Sequence, residues 1–303
     1  MSKHVGFGKI ILLGEHAVVY GYPALAAALD RGVTVAPVPT PKGGPLRLDI
    51  PAWSLSVTAA TTSDHPVARS LAAIADALEL GRPAVSLVGD ALIPPGAGLG
   101  SSAALAVAVA RALLEHAKRP LDPQVITAAA STSEQLLHGR PSGIDVAIAI
   151  AGGTGVFRRA TGLRRITLPQ PLRVLVGPSG APRSTAAMVE RVAEATASVV
   201  GDERLVELGA LTDRGTAALL AGDLRTLGAA MDRAHAVLAG LGVSTPQLDA
   251  LCDAARTAGA YGAKLTGAGG GGAVVAIAPR EREGDVLAAW RTARVEGFGA
   301  KVG

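Results

Sequence analysis

The stretch Ile93-Pro94-Pro95-Gly96-Ala97-Gly98-Leu99-Gly100-Ser101-Ser102-Ala103-Ala104 decides how this chain is read. Three glycines, each separated by one residue, run straight into an alanine-rich segment. Lacking Cβ atoms, they let successive backbone N–H groups converge on an anion. The helix predicted over 102–118 adds its unpaired N–H donors and partial positive charge at the same point. Ser101 and Ser102 supply hydroxyls that either cap that helix or reach a metal ion. Neither familiar nucleotide pattern fits. No Gly-Lys-Ser/Thr closes the loop as in Walker A, and the spacing is G-x-G-x-G rather than G-x-G-x-x-G. From the glycines alone, a phosphate cradle and an ordinary capped turn both stay open.

Working outward, the 303 residues exceed what one core organises, so two domains are expected, with the boundary near Pro169-Gln170-Pro171, giving 1–170 and 171–303. At 49% hydrophobic and 18% charged, the chain has a globular balance. The net charge of +4 suits a small anionic ligand and is too weak to argue for nucleic acid. The single cysteine, Cys252, forbids an internal disulfide and reads as a buried small side chain. The start of the chain does not read as a signal peptide. The apolar run 103–114 contains Arg111 and falls short of the roughly 18–20 residues that span a bilayer. A cytoplasmic chain without a membrane partner is the expectation.

Apolar periodicity predicts strands over 9–13, 33–39, 85–88, 172–176, 263–266, 273–278 and 299–302, and a hairpin from 46–50 and 55–57. Helices are predicted over 66–80, 102–118, 123–137, 185–199, 204–221, 226–238, 246–258 and 286–294. Segments 17–20 and 24–30 flank a Gly21-Tyr22-Pro23 turn, and 144–151 leads into Gly152-Gly153. Both halves mix strands and helices, which implies an α+β fold. The density of 267–272, five glycines in six residues, calls for a close backbone approach to phosphate or to the first glycine loop. Two carboxylates stand out: Glu134 on a helix, and Asp145 in an otherwise apolar stretch. By themselves they read equally as a solvated helix residue and a helix cap.

The full string Pro94-Pro95-Gly96-Ala97-Gly98-Leu99-Gly100-Ser101-Ser102-Ala103-Ala104 resembles the second signature of the GHMP kinases, whose members include galactokinases, homoserine kinases and mevalonate kinases. Segment 8–21, Gly-Lys-Ile-Ile-Leu-Leu-Gly-Glu-His-Ala-Val-Val-Tyr-Gly, is similar to the first signature, and 264–272, Lys-Leu-Thr-Gly-Ala-Gly-Gly-Gly-Gly, to the third. Gly6 departs from the pattern, where the family often has alanine. Gly-Glu-His-Ala-Val-Val and the run from Glu134 through His138-Gly139-Arg140-Pro141-Ser142-Gly143-Ile144 to Asp145 resemble the mevalonate kinase branch. The resemblance implies a two-domain GHMP kinase fold, with a ribosomal protein S5 domain 2-like first domain, a ferredoxin-like second domain, and the site in the cleft between them. It implies ATP on Pro95 to Ser102, Mg²⁺ held by Ser102 and Glu134, Asp145 as the base, and Lys9 as its cationic partner. Glu15, His16, Thr185 and Ala268 are expected on the acceptor side, with Arg183 either meeting a substrate carboxylate or forming a surface salt bridge. The acceptor would be mevalonate, with phosphomevalonate or another small hydroxy acid as the alternative. Family members are often homodimers, which the resemblance extends to this chain.

Overall fold

In the computed structural model the described residues are 3–40, 43–139, 141–181, 184–196 and 201–302. They form two compact units that interleave along the chain: 1–8, 31–95 and 100–152 in one, and 9–30, 96–99 and 153–303 in the other.

The first unit is built around an alanine-rich helix. Strands β3 (Arg47–Ile50), β4 (Leu55–Thr58) and β5 (Val85–Ala91) join the end of β2 (Ala24–Pro39) in the order β4-β3-β5-β2. The expected β3–β4 hairpin is present, with Leu48 opposite Val57, and β3 runs parallel to β5. Helices α1 (Pro66–Ala77), α2 (Ser101–His116), α3 (Pro123–His138) and α4 (Ile144–Ala151) complete the unit. Helix α2 is buried almost all round, from Ala103 to Ala110 and again over Ala112, Leu113 and Leu114. Its small side chains allow close approach. A Cβ on Gly6 would stand 1.9 Å from the Ala104 carbonyl oxygen, so the departure from alanine at position 6 has a steric reason. Arg111, the charged residue inside this run, donates to the Val5 carbonyl and, at 3.0 Å, to that of Ile150. Burial lowers its guanidinium pKa from the ordinary value.

The second unit contains β1 (His4–Leu13) from Lys9 onward, and the start of β2 followed by β6 (Thr154–Arg158) and β7 (Gly162–Ile166). It also holds an antiparallel sheet in the order β11 (Phe298–Val302), β8 (Leu172–Pro178), β10 (Ala273–Ile277), β9 (Gly262–Thr266). Central strand β10 is wholly apolar and buried, and β8 is apolar or small apart from the exposed Arg173 near its start. Helices α5 (Thr185–Ala195), α6 (Glu203–Ala221), α7 (Leu224–Gly240), α8 (Pro246–Thr257) and α9 (Glu283–Thr292) belong here. Helix α7 meets β9 backbone to backbone, since a Cβ on Gly262 would lie 2.0 Å from the Gly228 oxygen. Trp290, wholly buried, donates its indole N–H to the Leu251 carbonyl at 2.9 Å.

The predicted helices are present, with ends shifted by one to a few residues; the expected end of α5 at 197–199 lies outside the described residues. Segments 24–30 and 33–39 prove to be one sixteen-residue strand, β2. Asp30-Arg31-Gly32 looked like a break, but Gly32 stays extended where β1 crosses close by; its Cβ would lie 2.2 Å from the Gly6 oxygen. The β6–β7 hairpin carries arginines and glycines that mask its alternation, and 144–151 is a helix.

Candidate active site

Gly96, Gly98 and Gly100 adopt φ values of 72°, 81° and 71°, a left-handed conformation that only glycine takes without strain. Between them Ala97 and Leu99 are buried, so the alternation anchors the loop by every second residue. The Lys9 amide donates to the Leu99 carbonyl at 2.8 Å, tying strand β1 to the loop. Gly100 is the N-cap of α2 and offers no side chain to the first N–H groups. Helices α3, α5, α6, α7 and α8, by contrast, are each capped by Asp122, Ser184, Asp202, Asp223 or Thr245 accepting from backbone N–H. The start of α2 thus has no N-cap side chain between its backbone N–H groups and an approaching anion. The capping alternative for Ser101 and Ser102 is excluded, since both lie inside the helix.

The Ser102 hydroxyl instead meets His138 Nε2 at 3.1 Å. The same nitrogen lies 3.9 Å from the carboxylate of Glu134, one helical turn earlier on α3. Ser102 and Glu134 thus converge on one atom, although they are remote in sequence. Glu134 is buried, 2% exposed. A hydroxyl and a carboxylate are the hard oxygen donors that Mg²⁺ takes, and one or two protein oxygens suffice where phosphates supply the rest. The residues fit that ion. Among the described residues no group of three or more His, Cys, Asp or Glu is placed to hold a metal. Sequence reasoning passed over His138; its i, i+4 spacing from Glu134 was the available signal.

Asp145 lies in the first turn of α4, whose N-cap Gly143 also lacks a capping side chain. Its neighbours Ile144, Val146, Ile148 and Ala149 are buried.

In the second unit, Lys9 is 2% exposed on β1. Glu15 and His16 follow at the turn after that strand. His16 holds φ 59°, ψ −48°, an unusual conformation for a residue with a Cβ, and its Nε2 pairs with the Ala268 carbonyl at 2.8 Å. Glu15 is 1% exposed, and its carboxylate is taken by the ammonium of Lys264 on β9, itself wholly buried. Burial pushes the Glu15 carboxyl up and the Lys264 ammonium down, and each partner opposes the other's shift. The acceptor-side expectation for Glu15 thus meets a side chain turned inward. Lys264 was missed because its partner lies 249 positions away. Thr185 is the first residue of α5, capped by Ser184, whose hydroxyl accepts from the Ala187 amide at 3.2 Å. Arg183 and Arg140 lie outside the described residues.

The 267–272 turn makes its close approach to Val243: the Gly270 amide donates to that carbonyl at 2.8 Å, and a Cβ on Gly269 would stand 2.1 Å from it. Cys252 is buried, and desolvation pushes its thiol up to about 12, which makes it inert at neutral pH.

Residues 66–153 match the family described as GHMP kinases N terminal domain, and 216–296 match GHMP kinases C terminal. The mevalonate kinase of Thermococcus onnurineus is 36% identical, covering 93% of this chain and 90% of its own length. That of Methanothermobacter thermautotrophicus is 35% identical, covering 95% of each. The crystal structure of L. major mevalonate kinase in complex with R-mevalonate superposes with a TM-score of 0.86 at 28% identity, covering 100% of this chain and 96% of that one. The fold is the two-domain GHMP kinase fold with mixed α and β content. The chain therefore belongs to the GHMP kinase family, among the mevalonate kinases.

Proposed function

We propose that this enzyme transfers the γ-phosphoryl group of ATP to the primary hydroxyl of mevalonate, giving 5-phosphomevalonate and ADP. The observation that carries the reading is the convergence of Ser102 and Glu134 on His138 Nε2 beside the uncapped start of α2. Phosphoryl transfer asks a protein for alignment and charge neutralisation more than covalent chemistry, and this corner provides both.

Backbone N–H groups of Pro95-Gly96-Ala97-Gly98-Leu99-Gly100 and the first turn of α2 cradle the phosphates, Pro95 giving only its carbonyl. Ser102 and Glu134 would hold Mg²⁺, which would supply neutralisation of the phosphate charge when bound. Asp145, at the start of α4, takes the proton of the acceptor hydroxyl as that oxygen bonds to the γ-phosphorus and the bond to ADP breaks. Lys9 supplies the cation that keeps Asp145 charged and favours the developing alkoxide. His16, Thr185 and Ala268 face the acceptor, while Glu15 supports that side from beneath through Lys264. In chain order, 1–170 carries the nucleotide loop and 171–303 completes the acceptor and nucleotide sites. The same proposal places the enzyme in the cytoplasm as a homodimer. No helix among the described residues is long and apolar enough to cross a membrane.

ADP release measured with mevalonate, phosphomevalonate, homoserine and galactose tests the reading. Turnover with mevalonate alone is expected. Turnover only with another acceptor overturns the substrate and leaves the kinase; no ADP release with any of them argues against the kinase itself.

A further inference from the structure

Three alternate residues of one segment reach the same stretch of chain. Lys264 donates to Glu15. Thr266 accepts from the Ile11 amide at 2.9 Å and donates to the Ile11 carbonyl at 3.0 Å. The Ala268 carbonyl meets His16 Nε2 at 2.8 Å. Lys264 and Thr266, i and i+2 of β9, share one face, and the turn that follows adds the Ala268 carbonyl, so the strand and its turn fasten residues 11–16 as a strut. Lys264 also donates to the carbonyl of its neighbour Leu265 at 2.6 Å, which limits where its ammonium can go. The other face of β9 is fixed too: the Leu265 amide donates to His235 Nδ1 at 3.3 Å, and His235 Nε2 is 3.0 Å from Asp249.

We propose that Lys264 and Thr266 are positioning residues, which act through Glu15 and Ile11 to hold Lys9 and His16 in register for the acceptor hydroxyl. The turn they hold needs such support. Gly14 has φ 96° and His16 φ 59°, and the Ala17 amide closes tightly on the Glu15 carbonyl at 2.6 Å. A backbone in this region persists only where its surroundings fix it. Position matters here at the ångström level, because misplacement of about 1 Å costs about 10²-fold in rate. Lys9 also acts electrostatically on both Glu15 and Lys264, so the pair and the cation form one buried group. A buried ion pair is weak evidence of stability, since an uncharged pair of similar shape often replaces it without loss. That fact separates positioning from structure.

The inference rests on the proposed function, and the test keeps the two apart. Melting temperature, kcat and the two KM values are compared for wild type, Lys264→Met, Glu15→Gln with Lys264→Met, and Thr266→Val. Lys264→Met is expected to melt earlier, because it strands a buried carboxylate. The double variant is expected to regain most of the melting temperature while its kcat/KM for mevalonate stays about 10-fold or more down, with KM for ATP within about twofold. Thr266→Val, which removes no charge, is expected to give the same selective loss. Wild-type kcat/KM in both the double variant and Thr266→Val overturns the inference, as does an equal rise in both KM values. The imidazole resonances of His16 are followed by NMR in the same proteins. They are expected to move in the double variant and in Thr266→Val, and unchanged resonances overturn the inference even if the wild type phosphorylates no acceptor.

Discussion

Asp145 and Glu134 differ in what a single oxygen-to-nitrogen change should remove. Asp145→Asn keeps the shape of the first turn of α4 and takes away the base, so kcat should fall about 10³-fold with the KM for ATP unchanged. Steady-state kinetics checks this, and near-wild-type turnover would remove Asp145 from the mechanism. Glu134→Gln should raise the Mg²⁺ concentration for half-maximal rate about 10-fold or more, read by titrating Mg²⁺ at fixed ATP. An unshifted titration would leave Glu134 a structural role. These residues were legible because they sit in continuous strings whose chemistry is local. His138 and Lys264 stood in those same strings without a visible role, since each acquires its partner only by folding: Ser102 36 positions away, and Glu15 249 away. Glu15 was expected on the acceptor side, and its inward pairing with Lys264 was not legible.

Helix α2 and strand β9 each bear residues of the proposed mechanism, and each has a tolerance that can be measured. Gly6→Ala drives a methyl into the Ala104 carbonyl, backbone against backbone, and should cost about 1–3 kcal/mol in chemical denaturation. Wild-type stability would mean that α2 can retreat from β1. Under β9, His235 accepts from the Leu265 amide and is held neutral; burial lowers its pKa despite the nearby Asp249, with Lys264 and Arg256 adding to the lowering. The unfolded chain then binds more protons below the ordinary histidine value of about 6.5, so stability should be full above it and fall as pH drops through it. Denaturation at stepped pH should show that slope, reduced in His235→Gln; an unaltered slope would assign it to other groups. At this scale the strongly periodic helices were legible, as were the β3–β4 hairpin and both glycine turns. The unbroken β2 and the β6–β7 hairpin were not, because Gly32 and the arginines of β7 suppress the apolar alternation that marks a strand.

For the molecule as a whole, the alternation of strands and helices made an α+β fold in two parts readable. The interleaving of the units was not, because residues 9–30 and 96–99 join 153–303 through contacts that no local pattern encodes. The family match at 66–153 falls in the first unit except for 96–99 and 153, which belong to the second unit with the match at 216–296, and the first signature segment, 8–21, lies outside both matches. All three signatures must act together for phosphoryl transfer. Phosphorus NMR of a reaction containing the enzyme, Mg²⁺-ATP and mevalonate reports that outcome directly. The account predicts loss of the γ-phosphate signal of ATP and a new monoester signal split into a triplet by an adjacent CH₂, with Asp145→Asn giving neither on the same timescale. A γ-phosphate that ends as inorganic phosphate, with no monoester formed, would contradict it.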